Sequence, residues 1–195
     1  MKRALVSLAA ALAAYFSLGS VAAQTAFTAK SGTIAFRVGT NVPFIKVAGS
    51  SDALSGSGEA EVDGNSATVR NLRFEVDPVT LKTGNALRDR HMYERVFTAS
   101  DGTMPKIVLK AERFQARIDP QTSRSEGELN AQLTIRGVTR PAVFHVRAER
   151  RGDGAFVTAD GAVRTSDFGV KPISNAGVTV RDEVRVTVTT LLTPR

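Results

Sequence analysis

The sequence predicts an all-β, antiparallel fold, a sandwich or a closed barrel of about eight strands with one short helix. Three observations predict it. Apolar and polar residues alternate with period two over most of the chain, turn-forming clusters separate the alternating runs, and a single segment breaks the rhythm at helical spacing.

The runs come in order. Ile34, Phe36 and Val38 form the first, and Leu72, Phe74 and Val76 another after the turn cluster Asp63-Gly64-Asn65. Between them, Gly49–Gly58 is rich in Gly and Ser and reads as a mobile rim loop or a hairpin. Within it, Ser55-Gly56-Ser57-Gly58 reads as a glycine-rich turn, without the lysine and strand-to-helix setting of a phosphate loop. The segment that breaks the rhythm is Asn85–Phe97. There Met92 and Val96, and likewise Tyr93 and Phe97, are four apart and share a helix face, with Asn85 as N-cap. This helix is expected to cross one end of the barrel. Further on, Leu129, Ala131, Leu133 and Ile135 alternate with polar residues, Gly137-Val138-Thr139 supplies a tight reversal, and Pro141 opens the next strand. Ala142, Phe144, Val146 and Ala148 continue that strand to the turn Arg151-Gly152-Asp153-Gly154, and Val184, Val186 and Val188 form the last run.

The beginning of the 195-residue chain has the form of a signal peptide. Lys2 and Arg3 precede an uncharged, largely apolar stretch from Ala4 to Leu18, and Val21-Ala22-Ala23 places small residues before an expected cleavage ahead of Gln24. The stretch is short and alanine-rich for a span of about 20 strongly apolar residues, so cleavage is favoured over anchoring. Residues 24–195 are then one domain, expected in the periplasm, with no second stretch of membrane-spanning length. The chain contains no cysteine, which excludes a disulfide framework, thiol chemistry and a lipidated N-terminal cysteine. The formal charge of +7 is spread among charges of both signs along the strands. The excess favours anionic lipid headgroups or a membrane surface. Export and the lack of a basic block argue against nucleic acid.

Catalytic patterns are nearly absent. His91 and His145 lack metal-ligand spacing partners, and no serine sits in a nucleophile elbow. The chain therefore reads as a non-enzyme, with no catalytic residue, metal or cofactor expected. His145 falls on the polar side of its strand and reads as exposed. His91 lies in the cluster Arg88-Asp89-Arg90-His91-Met92. That cluster reads first as a hydrogen-bond network pinning helix to barrel, with Asp89 capping backbone N–H groups and Arg88 pairing with a carboxylate such as Asp182; a headgroup-binding role is the alternative. The abundant phenylalanines and the absence of tryptophan suit a dry apolar cavity, but phenylalanine also fills ordinary cores, and an eight-stranded barrel can be hollow or packed.

Five short motifs follow one another along the chain: TGNALRDRHM at Thr83–Met92, MPKIVL at Met104–Leu109, LTIRGVTRP at Leu133–Pro141, SDFGV at Ser166–Val170 and DEVRV at Asp182–Val186. In this order they resemble the YceI-like family of secreted polyisoprenoid-binding proteins. The resemblance runs from about Thr33 to the C-terminus and is strongest from Thr83 onward. It implies a lipocalin-like antiparallel barrel with a helix at one side and an apolar tunnel for a long isoprenoid chain, such as that of a polyprenyl diphosphate or a quinone. The chain departs from the family pattern in FRVGTNVPFIKV of the first long strand, in YERVFTASDG after the helix cluster, and at Arg136, where histidine is common.

The resemblance and the alternation together assign Phe36, Phe44, Phe74, Met92, Leu109, Leu133 and Phe168 to the tunnel lining, with Arg88 and His91 as headgroup candidates. The expected function is periplasmic carriage or sequestration of an isoprenoid lipid, with the lipid as partner and homodimerisation left open. Two alternatives stand beside it: an envelope interaction module with a filled barrel, and an enzyme acting on a lipid or quinone with His91 as acid or base.

Overall fold

The computed structural model describes residues 24–29 and 31–195; the expected signal peptide, residues 1–23, lies outside the described residues. Among the described residues there are eleven strands: β1 (Thr25–Ala29), β2 (Gly32–Thr40), β3 (Lys46–Ser51), β4 (Ser55–Asp63), β5 (Ser66–Val76), β6 (Ile107–Ile118), β7 (Ser125–Ile135), β8 (Val138–Arg151), β9 (Gly154–Arg164), β10 (Ser174–Asn175) and β11 (Val178–Pro194). All named strand pairings are antiparallel.

The order β1-β4-β5-β6-β7-β8-β9-β11 closes on itself because β1 also pairs with β11, Phe27 opposite Pro194. The result is a partly closed ring of eight strands, joined between β1 and β11 at two residue pairs, with most edges of the sheet thereby paired. The seventeen-residue β11 is long enough to hold β9 along one edge and β2, then β1, along the other. The β2–β3 ribbon extends the wall at one end of the ring, where Ser50 also pairs with Lys82.

The hairpins follow their turn chemistry. Gly152-Asp153 joins β8 to β9, with Gly152 in the left-handed region. Between β7 and β8 the reversal is made by Arg136 (φ 47°) and Gly137 (φ 84°), one position earlier than expected. Two consecutive positive φ values match the twist of the flanking strands, so Val138 and Thr139 are already paired in β8. Pro141 consequently lies inside β8, opposite Gln132. It is tolerated because β9 pairs with β8 only from Phe144 onward, leaving that edge unpaired at the proline.

Period-two burial is clear in β7, where Leu129, Ala131 and Leu133 are buried and Glu128, Asn130 and Gln132 exposed. His145 on β8 is exposed, as its strand position predicts. The helix also follows the sequence. Asn85 caps it, its side chain accepting from the Arg88 N–H at 3.0 Å; α1 runs Ala86–Met92, and a π-helical turn continues through Tyr93–Phe97. No helix among the described residues is long and apolar enough to cross a membrane.

Candidate ligand-binding cavity

The ring encloses a cavity of about 1120 Å³. That exceeds the roughly 300–1,000 Å³ of pockets for drug-sized ligands. Its wall is apolar, with Ile34, Leu54, Leu72, Phe114, Leu129 and Val186 among the side chains facing it. The barrel is hollow, and a cross-strand device explains how a chain so rich in phenylalanine leaves it so. Phe27, Phe36, Phe74 and Phe144 each stand opposite a glycine on the neighbouring strand: Gly58, Gly49, Gly56 and Gly161. A Cβ at Gly56 would lie 2.3 Å from the Phe74 ring, one at Gly49 2.6 Å from Phe36, and one at Gly161 2.6 Å from Phe144. Each ring thus occupies the space above its glycine and lies along the wall, where a side chain on the facing residue would drive it inward. Aromatic rings over strand glycines also restore the packing that a bare backbone lacks.

This corrects the expectation that Ser55-Gly56-Ser57-Gly58 is a turn and Gly49–Gly58 a loop or hairpin. Ser55–Gly58 opens strand β4, and its glycines are set by the rings of Phe74 and Phe27.

The structure distributes the expected lining residues unequally. Phe36, Phe74, Met92, Leu109 and Leu133 face the cavity. Phe44 and Phe168 do not. Phe44 is fully exposed at φ 68° in the turn between β2 and β3, because Thr40 ends β2 and anchors that turn through its hydroxyl, placed 3.0 Å from both the Val42 and the Ile45 carbonyls. Phe168 is 2% exposed but packs where β8 and β9 separate, beside Pro141, Ala142 and Val163. The missing β8–β9 pairing that tolerates Pro141 makes room for its ring outside the cavity.

Arg88 and His91 both reach the cavity at the helix end. The cluster around them is a closed hydrogen-bond system. The buried Asp89 carboxylate accepts from the Thr83 N–H at 2.8 Å and from the Thr83 hydroxyl at 2.5 Å. The Thr83 hydroxyl, its backbone N–H, and the nearby Lys82 and Arg88 charges hold the Asp89 carboxyl below the usual carboxylate range. Arg88 donates to the Thr83 carbonyl at 2.7 Å and not to Asp182, since α1 turns its guanidinium back over the Thr83–Asn85 entrance of the helix. Asp182 serves a different motif. It accepts from the Ser166 hydroxyl at 2.6 Å, the Ser166 N–H at 2.7 Å and the Thr165 hydroxyl at 2.8 Å, contacts that lower its pKa, with the Ser166 hydroxyl leading. The SDFGV and DEVRV motifs are therefore two halves of one clasp, joining the 3₁₀ turn Thr165–Phe168 to β11.

Lys171 and Arg181 also line this end of the cavity. The sequence offered only their adjacency to the motifs Ser166–Val170 and Asp182–Val186, which names no chemistry. Arg181 donates to the Thr40 carbonyl at 3.1 Å, a bond that leaves its charge uncompensated. Glu75, another lining residue, is matched by Lys106 at 2.5 Å and Arg73 at 3.1 Å. Arg88, Lys171 and Arg181 outnumber the lining carboxylate left without a cationic partner, Asp182, so the balance at the helix end is cationic. At the opposite end Thr25, Ser125 and Thr193 line the cavity, with Asp153 as its charged residue. No group of acidic residues and histidines that could hold a metal occurs among the described residues.

Comparisons with known proteins fit this architecture. The family model described as YceI-like domain matches residues 26–191. A polyisoprenoid binding domain from Saccharophagus degradans, implicated in plant cell wall breakdown, shares the fold at TM-score 0.62 and 13% identity, covering 88% of this chain and 99% of that one. The Campylobacter jejuni YceI protein matches at TM-score 0.57 and 16% identity over 80% of this chain and 88% of its own. Burkholderia cenocepacia BcnA matches at TM-score 0.54 and 13% identity, over 82% and 95%. Comparison with curated sequences gives no match. At these identities the structural likenesses show a shared fold. The family model, spanning nearly all of the barrel, shows more: the chain belongs to the YceI-like domain family.

Proposed function

We propose that this protein binds an isoprenoid lipid, its chain buried in the barrel and its headgroup held at the helix end. The observation that carries this reading is the cavity itself: large, apolar and lined by phenylalanines folded onto glycines. Membership of the YceI-like family supports it, as does the polyisoprenoid-binding domain among the structural relatives. The mechanism is non-covalent burial. Each enclosed CH2 contributes about 0.8 kcal/mol before entropic costs. Arg88 and His91, with Lys171 and Arg181, select the headgroup. The chemistry is binding rather than catalysis. With the signal-like residues 1–23 removed, the protein carries or sequesters its lipid in the periplasm.

A displacement titration with isoprenoids of increasing length tests this. Affinity rises with each added unit until the cavity is full and then levels off. Affinity that is independent of tail length would overturn the reading.

A further inference from the structure

We infer that the cationic end of the barrel docks on an anionic phospholipid bilayer, with Phe44 and Ile45 inserting between the headgroups. Phe44 is 100% exposed and Ile45 45% exposed, following the exposed Pro43 in the turn between β2 and β3. A bulky residue at φ 68° is uncommon and costs backbone energy, so the turn spends stability on holding a phenylalanine in water. The base of this turn is fixed. Thr40, 4% exposed, bonds within it, and Asn41 ties it to the neighbouring β10–β11 turn by donating to the Gly177 carbonyl at 3.1 Å and accepting from the Thr179 N–H at 2.7 Å. A rigid base with an apolar tip is the form of a membrane anchor.

The surroundings match a negatively charged surface. Ile45 also lines the cavity mouth, as do Leu87, 57% exposed on α1, and the cations Arg88, Lys171 and Arg181. Lys46 follows Ile45 directly, and the Arg181 side chain lies against Gly39 of β2, one residue from the turn's anchor at Thr40. None of the ion pairs among the described residues includes Lys46, Arg88, Lys171 or Arg181. Two carboxylates lie beside them, and both hydrogen-bond within the fold: Asp182 accepts from Ser166 and Thr165, and Asp89 accepts from Thr83. Apolar tips ringed by unpaired cations complement the headgroup layer of an anionic bilayer, where each basic residue near the surface adds attraction. Docked in this way, the mouth faces the membrane, and an apolar chain passes between bilayer and cavity without crossing water. That purpose rests on the isoprenoid reading; the docking itself does not.

Flotation of the purified protein with vesicles of phosphatidylglycerol and phosphatidylcholine, against phosphatidylcholine alone, tests the inference. The wild type floats with the anionic vesicles and much less with the neutral ones. Phe44→Gly, which suits the positive φ and leaves the fold intact, reduces partition roughly ten- to a hundredfold, the factor expected when one large apolar side chain no longer enters lipid. Phe44→Trp keeps it. Uptake of a short, water-soluble isoprenoid, measured without vesicles, is unchanged in Phe44→Gly, so loss of docking is distinguishable from failure of the cavity to bind. The inference is overturned if the wild type does not float, or if Phe44→Gly floats as well as the wild type. It is also overturned if the substitution changes only self-association or capture of a protein partner.

Discussion

Phe74 and Phe44 are the same residue type put to opposite uses in two parts of the barrel. Phe74 lies over Gly56 on the adjacent strand and forms part of an apolar wall. Phe44 stands in solvent at a strained backbone angle, on a rim where charged and apolar side chains mix. The wall is governed by packing: rings need glycines opposite, and neighbouring strands need continuous register. The rim is governed by hydrogen bonds from carboxylates and hydroxyls, which fix the helix and the 3₁₀ turn while leaving the cations unpaired. A wall built by packing sets how much apolar chain fits, and a rim built on polar contacts sets what meets it at the mouth.

The sharpest way to break the wall is Leu133→Glu. Leu133 is buried and faces the cavity, and an ionised carboxylate there lacks a partner. The cost of such a charge in apolar surroundings is several kcal/mol, so uptake falls by roughly a hundredfold or more. A folded variant with full lipid occupancy would show that the inward face is misassigned. Gly56→Ala tests the ring-on-glycine device. The new Cβ meets the Phe74 ring and the Arg73 carbonyl, at 2.3 and 2.7 Å. It lowers stability in denaturant titrations by about 1–3 kcal/mol, as overpacking does. It also pushes the ring inward, so the longest accommodated isoprenoid becomes shorter. An unchanged length limit would mean that the glycines serve the sheet and not the cavity.

The rim answers differently. Asp89→Ala leaves the Thr83 N–H and hydroxyl without their acceptor at the entrance of α1. It costs about 1 kcal/mol or somewhat more in thermal unfolding and loosens the helix, seen as faster amide exchange at residues 83–92, with β4–β5 protection unchanged. Acid gives the smallest effect. The Asp89 and Asp182 carboxyls titrate below their ordinary range. Their contribution is therefore fully present above the ordinary carboxylate pKa of about 4 and is lost as pH falls through the depressed values. Stability from these two groups is flat from neutral pH down to about 5 and declines below about 4. In Asp89→Ala that decline is shallower, which a pH series of unfolding midpoints reads directly.

The difference between wall and rim also explains what could be read from the residues. Period-two alternation located the inward faces of β5 and β7, and spacing of four with an asparagine cap located α1, because both depend on local periodicity. Leu133, Phe36 and Phe74 were legible for that reason. Phe44 and Phe168 were not, because their placement depends on where strands stop: one sits past the end of β2, the other where β8 and β9 part. The strand glycines were misread as a turn, since glycine carries no periodic signal and its reason is a ring on another strand. Lys171 and Arg181 became part of the site through the path of the chain around the mouth. The Asp89 cap was legible, and the N–H it takes is that of Thr83; the Ser166/Asp182 clasp was not, because its two halves lie sixteen residues apart and meet only in the fold.

The central claim is that this barrel holds a lipid chain. Native mass spectrometry of the protein purified without detergent, followed by organic extraction and identification of what is released, tests it most directly. The account predicts a one-to-one adduct that proves to be an isoprenoid, such as a polyprenyl diphosphate or a quinone. A clean apo mass that persists after incubation with isoprenoid lipids would contradict it.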